Sequence, residues 1–240
     1  MENLQSDHLD TQNLYRDMQK RTGGEIYIGV VGPVRTGKST FIKRFMDVAV
    51  LPYMEDAAQK TRAQDELPQS AGGRTITTTE PKFIPQEAVE LKLAGEVTIR
   101  VRLVDCVGFM VEGAAGHLED GAERLVKTPW YDHEIPFTQA AELGTRKVIT
   151  DHSTIGVVVT TDGSFSDLPQ ETYLDAENQA ISELKKLHKP FLVLVNSSHP
   201  SSRTAREAAE RIEKQHSVTA MPVNLSLIHI SEPTRPLYIS

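Results

Sequence analysis

The apolar positions of this chain fall into short runs separated by longer amphipathic stretches, the alternation that builds a parallel sheet covered by helices. Residues 26–31 (IYIGVV), 155–160 (IGVVVT) and 191–195 (FLVLV) are apolar almost throughout and rich in β-branched side chains. Strands buried on both faces have that composition. Residues 88–93 and 97–104 read as two more strands joined by the short turn 94–96, hence a hairpin, and residues 218–223 begin a sixth strand. Apolar residues return at helical spacing in 39–46, 137–149, 170–188 and 204–215. Leu14, Tyr15 and Met18 predict a short amphipathic helix within 1–21, ended by Gly23-Gly24. The expected fold is α/β: a doubly wound, mostly parallel sheet with one antiparallel hairpin.

Two stretches break the pattern. Residues 53–73 are polar, with Pro68 and Gly72-Gly73 as breakers, and read as a mobile loop. Residues 109–136 read as irregular and contain the lone tryptophan, Trp130. Trp130 either anchors a partner or pins the loop to the core; the second is favoured because large aromatics are mostly buried.

Candidate chemistry begins where the first strand ends. Gly32-Pro33-Val34-Arg35-Thr36-Gly37-Lys38-Ser39 fits GxxxxGK[S/T], with a strand before it and a helix after it. In such a P-loop the glycines let successive N–H groups converge on phosphate oxygens at a helix N-terminus. Gly32, Arg35, Thr36, Gly37, Lys38, Ser39 and Thr40 are the expected phosphate-binding residues, with Lys38 reaching the β- and γ-phosphates and Ser39 offering a hydroxyl to Mg²⁺.

The strand ending at 104 is followed by Asp105-Cys106-Val107-Gly108, a Walker B arrangement in this context. Asp105 is expected at Mg²⁺ and the Gly108 N–H at the γ-phosphate. The threonine cluster 77–79 falls where a GTPase-like switch would sit, with Thr78 a candidate Mg²⁺ ligand; its alternative is an edge strand, since threonine has high β propensity. Phe109 follows the DxxG motif where a glutamine would orient water, so the orienting group is sought among Thr78, Thr79, Gln64, Asp65 and Glu66. Asp162, at the end of another strand, either faces the nucleotide crevice or serves a turn before Gly163.

A guanine-specific protein would carry NKxD after the strand at 191–195, but the chain reads Asn196-Ser197-Ser198-His199. The missing carboxylate turns the expectation towards ATP or weak base selectivity. Composition narrows the partners. A net charge of -7 without a dense basic block argues against nucleic acid, and no run approaches a membrane span. The single cysteine, Cys106, rules out a disulfide framework and suits a reducing cytoplasm.

The runs RTGGEIYIGVVGPVRTGKSTFIKRFM, RAQDELPQS, TITTTEPKF, RLVDCVGF, TPWYDHEIPF, AAELGTRKVI and STIGVVVTTDG together resemble the stage IV sporulation protein A family, over roughly residues 21–223. The resemblance implies a translation-factor-related GTPase-like domain that lost guanine specificity and hydrolyses ATP. It implies Lys38 as the Walker A lysine, Asp105 as the Walker B aspartate and Thr78 and Thr79 as sensor threonines. It further implies ATP-driven self-assembly into the basement layer of the spore coat. The expected place is the mother-cell cytoplasm, at the outer forespore membrane surface. The implied partners are other coat morphogenetic proteins and a small amphipathic membrane-bound peptide. A GTPase switch of the ribosome-assembly type, and a structural protein with nucleotide as a stabilising ligand, are the alternatives.

Residues 1–20 read as a variable extension and 21–224 as the ATPase domain. Residues 225–235, and the remainder to 240, resemble a translated sequencing adapter and are expected to be artefactual, with the family's middle and C-terminal domains missing.

Overall fold

A computed structural model describes residues 24–68, 80–92, 98–114, 118–119, 122–165 and 168–227. The expectations for the N-terminal helix, for Thr77, Thr78 and Thr79, for the turn at 94–96 and for residues 228–240 lie outside them. In chain order the first elements are β1 (Glu25–Val31), α1 (Lys38–Phe45), α2 (Ala57–Asp65), β2 (Lys82–Lys92) and β3 (Thr98–Asp105). Four short strands follow: β4 (Leu118–Glu119), β5 (Ala122–Glu123), β6 (Leu125–Thr128) and β7 (Tyr131–Pro136). The remainder is α3 (Phe137–Lys147), β8 (Ile155–Thr161), α4 (Leu174–Lys186), β9 (Phe191–Asn196), α5 (Arg203–His216) and β10 (Ala220–Val223).

The main sheet has the order β10-β9-β8-β1-β3-β2. All its pairings are parallel except β2 on β3, where Lys82 faces Asp105 and Lys92 faces Thr98. The doubly wound sheet and its one antiparallel hairpin are therefore as the sequence predicted. Within the continuous apolar runs, the two-residue period still sorts side chains between faces. Ile26, Ile28 and Val30 of β1, Val101 and Leu103 of β3, and Val157 and Val159 of β8 join Ile42 of α1 in one core. Val31, Val104, Val158, Val193 and Val195 join Ala180, Ile181 and Leu184 of α4 and Ala208, Ala209 and Ile212 of α5 in the other.

Four departures from expectation have local causes. Residues 57–65 form α2 rather than loop, capped by Asp56, whose side chain accepts from the N–H groups of Ala58 (2.8 Å) and Gln59 (3.1 Å). Its Ala, Gln, Lys and Arg favour helix intrinsically, but Ala63 is its one buried residue, so no apolar stripe announces it. β2 starts at Lys82 rather than 88, across a register shift between Ile84 and Val89. The stretch read as irregular contains a hairpin of β6 and β7, with half-buried Trp130 in its turn and Lys147 Nζ 5.7 Å above its ring. The helix expected over 170–188 opens with a 3₁₀ turn, Gln170–Tyr173, before α4 begins.

A buried charge ties α4 and α5 to the sheet. Glu177 accepts a hydrogen bond from Thr160 Oγ1 (2.7 Å) and pairs with Arg211 Nη1 (2.8 Å). Nearby, His216 Nε2 hydrogen-bonds Asn178 Oδ1 at 2.8 Å. Burial holds this imidazole below its ordinary value of 6.5; Glu177 acts against that, while Lys185 and Arg211 reinforce it. The unfolded chain therefore takes up the proton first on acidification, and stability falls as pH drops through 6.5 towards the lower folded value. Urea midpoints should decline as the pH is lowered from about 7 through the ordinary imidazole range, and His216→Gln should flatten that decline. An unchanged slope in the variant would assign the acid sensitivity elsewhere.

Candidate nucleotide site

Ligands in open α/β sheets sit outside the carboxyl ends of the strands. Gly32–Ser39 occupies that edge, leaving β1 and entering α1, with Asp105 at the end of β3 and Asn196 at the end of β9 beside it. The loop can take this path because Gly32 (φ 129°) and Gly37 (φ 101°) are free of side chains. A Cβ on Gly32 would fall on the Val159 carbonyl oxygen, and one on Gly37 would come within 2.6 Å of Asn196 Nδ2.

The Thr36 hydroxyl turns inward to the carbonyls of Pro33 (3.0 Å) and Val159 (2.6 Å), bracing the loop on β8. Its backbone N–H is what remains for a phosphate. Lys38 is buried, and its Nζ donates to the Pro33 carbonyl at 2.5 Å, inside the ring the loop makes. Burial draws its ammonium below the ordinary value, opposed by neighbouring Asp105. Thr40 lies in the first turn of α1, half-buried.

Asp105 is half-buried beside this ring. Its Oδ2 accepts from Ser39 Oγ (3.0 Å) and its Oδ1 from the Cys106 N–H (2.9 Å). Burial raises its pKa, against the pull of Lys38, Ser39, the Cys106 amide and Lys82. A half-buried carboxylate and a hydroxyl side by side fit Mg²⁺, which takes one or two protein oxygens and fills its shell with phosphate and water. Among the described residues no group of three His, Cys, Asp or Glu side chains is placed to hold a metal. The Cys106 thiol, pushed up to about 11 by burial and directed at the Val30 carbonyl (3.4 Å), stays protonated and inert.

The DxxG loop is clasped to the P-loop. Val34 N–H donates to Phe109 O (2.9 Å) and Phe109 N–H to Gly32 O (3.0 Å). Phe109 keeps its ring in the core at 1% exposure, so it has no part in orienting water. The Gly108 N–H, assigned from the sequence to the γ-phosphate, donates instead to Thr145 Oγ1 (3.1 Å), whose own hydroxyl donates to the Ala141 carbonyl (2.8 Å). Contact with phosphate would require that bond to exchange. Thr145 is a site residue the sequence reading missed, since nothing in α3 marks which face meets a loop folded against it.

Asn196 serves the loop as well. Its Nδ2 donates to the Thr36 carbonyl (3.0 Å), and its Oδ1 accepts from the Leu225 N–H (3.2 Å). Leu225 is fully buried beside Gly37. The following residues are braced by serines: Ser198 N–H donates to Ser164 Oγ (2.8 Å) and His199 N–H to Ser197 Oγ (3.0 Å). Asp162 makes the turn, its Oδ1 accepting from the Ser164 N–H (3.0 Å), and it also lines an open cleft of about 540 Å³ with His199, Gln170 and Glu171. Both readings of Asp162 thus have a structural counterpart. Of the proposed water-orienting residues, Glu66 is engaged elsewhere, its carboxylate accepting from the Gln86 N–H (2.7 Å). Gln64 and Asp65 are exposed on α2, which packs on β2.

Comparison with known proteins agrees with this geometry. Residues 9–235 match the family model described as stage IV sporulation protein A, ATPase domain. The stage IV sporulation protein A of Clostridioides difficile (strain 630) is 51% identical over 213 residues, covering 89% of this chain and 43% of that protein. That of Bacillus anthracis is 46% identical over 217 residues (90% and 44%), and that of Bacillus subtilis (strain 168) 46% over 224 residues (93% and 46%). The chain thus spans less than half the length of these curated relatives. Since that family model spans residues 9–235, the chain belongs to the family of stage IV sporulation protein A ATPase domains.

Proposed function

We propose that the domain binds ATP with Mg²⁺ and hydrolyses it to ADP and phosphate, and that in the longer protein this turnover drives self-assembly of the spore coat basement layer. The observation that carries the reading is Ser39 Oγ held on Asp105 Oδ2 at 3.0 Å beside the Lys38 ring. Lys38 and the loop amides would bind the β- and γ-phosphates, and Ser39 and Asp105 would hold Mg²⁺. The metal, when bound, neutralises phosphate charge. Catalysis is then mostly positioning and electrostatic stabilisation, with water attacking the γ-phosphorus in line. Thr78 and Thr79 belong to this proposal as sensor residues, and Thr78 as a further Mg²⁺ ligand.

ATP is favoured over GTP because His199 stands where guanine recognition needs a carboxylate, and its loop is pinned by serine hydrogen bonds. The same proposal places the longer protein at the outer forespore membrane surface in the mother-cell cytoplasm. There it would polymerise with itself and engage coat morphogenetic proteins and a small amphipathic membrane-bound peptide. Among the described residues no helix is long and apolar enough to cross a membrane.

The test is phosphate release from ATP and GTP in parallel, with Lys38→Ala as control. ATP turnover lost in the variant supports the reading. Preferential GTP turnover would make the domain a GTPase switch, and tight binding without turnover would make nucleotide a structural ligand.

A further inference from the structure

Between Val31 and Thr40 a single residue is exposed, and it is Arg35. Its backbone is left-handed, φ 61°, a conformation that glycine or asparagine adopts more readily than arginine. Backbone geometry therefore does not explain an arginine here, and the reason must lie in the side chain. The outlier sits on the crest of the phosphate-binding loop, where strained residues tend to serve function.

Among the described residues the site also lacks something that an arginine supplies. The residue after DxxG is Phe109, whose ring is in the core, and the clasp to Gly32 and Val34 keeps it there. Lys38 Nζ is enclosed by the loop, and Lys82, across the sheet from Asp105, donates to the Glu66 carbonyl at 3.3 Å. Apart from Lys38, neither the DxxG loop as bonded here nor a glutamine among the described residues offers a donor for the charge that builds on the γ-phosphoryl oxygens.

We propose that Arg35 is a catalytic residue, supplied in cis by the P-loop itself, whose guanidinium neutralises the γ-phosphoryl group as it is transferred. The inference rests on the ATPase reading above. In the step, the water oxygen forms a bond to the γ-phosphorus while the bond from that phosphorus to the β,γ-bridging oxygen breaks. ADP leaves with the electron pair, and the water's proton passes to the phosphate product. The Arg35 fork matches two phosphoryl oxygens at once, which an ammonium cannot do. Such an arginine is a transition-state device, so its removal affects turnover far more than binding.

The experiment measures kcat, ATP and ADP affinity, and trapping of ADP with aluminium fluoride, for the parent, Arg35→Ala, Arg35→Lys and Arg35→Gly. Arg35→Gly suits the observed φ, so its fold is not at risk. A fall in kcat of roughly 10³-fold in all three variants is expected. ADP affinity should stay within a few fold, and the aluminium fluoride complex should form in the parent alone. Arg35→Gly or Arg35→Ala turning over at the parent rate would overturn the proposal. Recovery of activity on mixing Arg35→Ala with Lys38→Ala would also overturn it, because the arginine would then act between copies. A parent without ATP turnover would instead remove the underlying ATPase reading.

Discussion

Lys38→Ala is expected to lower ATP turnover by at least roughly 10²–10³-fold, the loss that follows removal of a single preorganised charge-stabilising donor. The side chain is held before any nucleotide arrives: it is buried, and its Nζ is fixed on the Pro33 carbonyl at 2.5 Å. An ammonium drawn below its ordinary pKa by burial gains from an incoming polyanion. Alanine removes that gain and leaves Asp105 without its nearest cation. Ligand-induced stabilisation reports the same loss without activity: a saturating ligand at about 100 Kd raises unfolding free energy by about 2.7 kcal/mol. Thermal shift with Mg²⁺ and ATP should show that increment in the parent and nearly none in the variant. A variant with parental turnover and parental shift would show that phosphate is held by the loop amides alone.

Gly108→Ala should damage the fold itself. The residue sits at φ 100°, outside the region alanine tolerates, and its Cβ would fall on the Gly32 carbonyl oxygen and on Lys38 Nζ. The backbone cannot withdraw easily, because the next residue, Phe109, is bonded to both Gly32 and Val34. Strain of about 1–3 kcal/mol and overpacking of about 1–3 kcal/mol together predict a urea midpoint well below the parent's, and nucleotide binding lost with it. A parental midpoint would mean that the clasp opens at little cost in solution. That outcome would weaken the assignment of Phe109 to the core.

How far the site was legible depended on whether a residue's role is local. The roles proposed for Gly32, Gly37, Lys38 and Ser39 lie within one turn, so spacing alone suggests them. Asp105 required one inference more, that an acidic residue at the end of a strand lies beside the loop, and Ser39 Oγ at 3.0 Å bears out that proximity. The Gly108 amide donates here to Thr145, from a helix far along the chain, a partner the motif could not announce. Asn196 stands where NKxD would begin and drew no role from the sequence, yet its hydrogen bonds go to Thr36 and Leu225 and hold the loop. α2 was lost because a helix with one buried residue leaves no periodic trace.

By itself the sequence determined what repeats at short range: strands as β-branched runs, helices by apolar spacing, the P-loop by its glycines, and hence a parallel sheet carrying a phosphate site at its edge. These follow from backbone sterics and from burial on one or both faces, which act within a few residues. Tertiary structure alone decided what the site's polar groups do before ligand arrives. It turned the Thr36 hydroxyl inward, gave Lys38 to Pro33, gave Gly108 to Thr145, buried Phe109, and left Arg35 exposed on the crest. A buried donor takes whichever acceptor the packed elements bring within reach, and partners distant in sequence are chosen by the fold rather than by the motif.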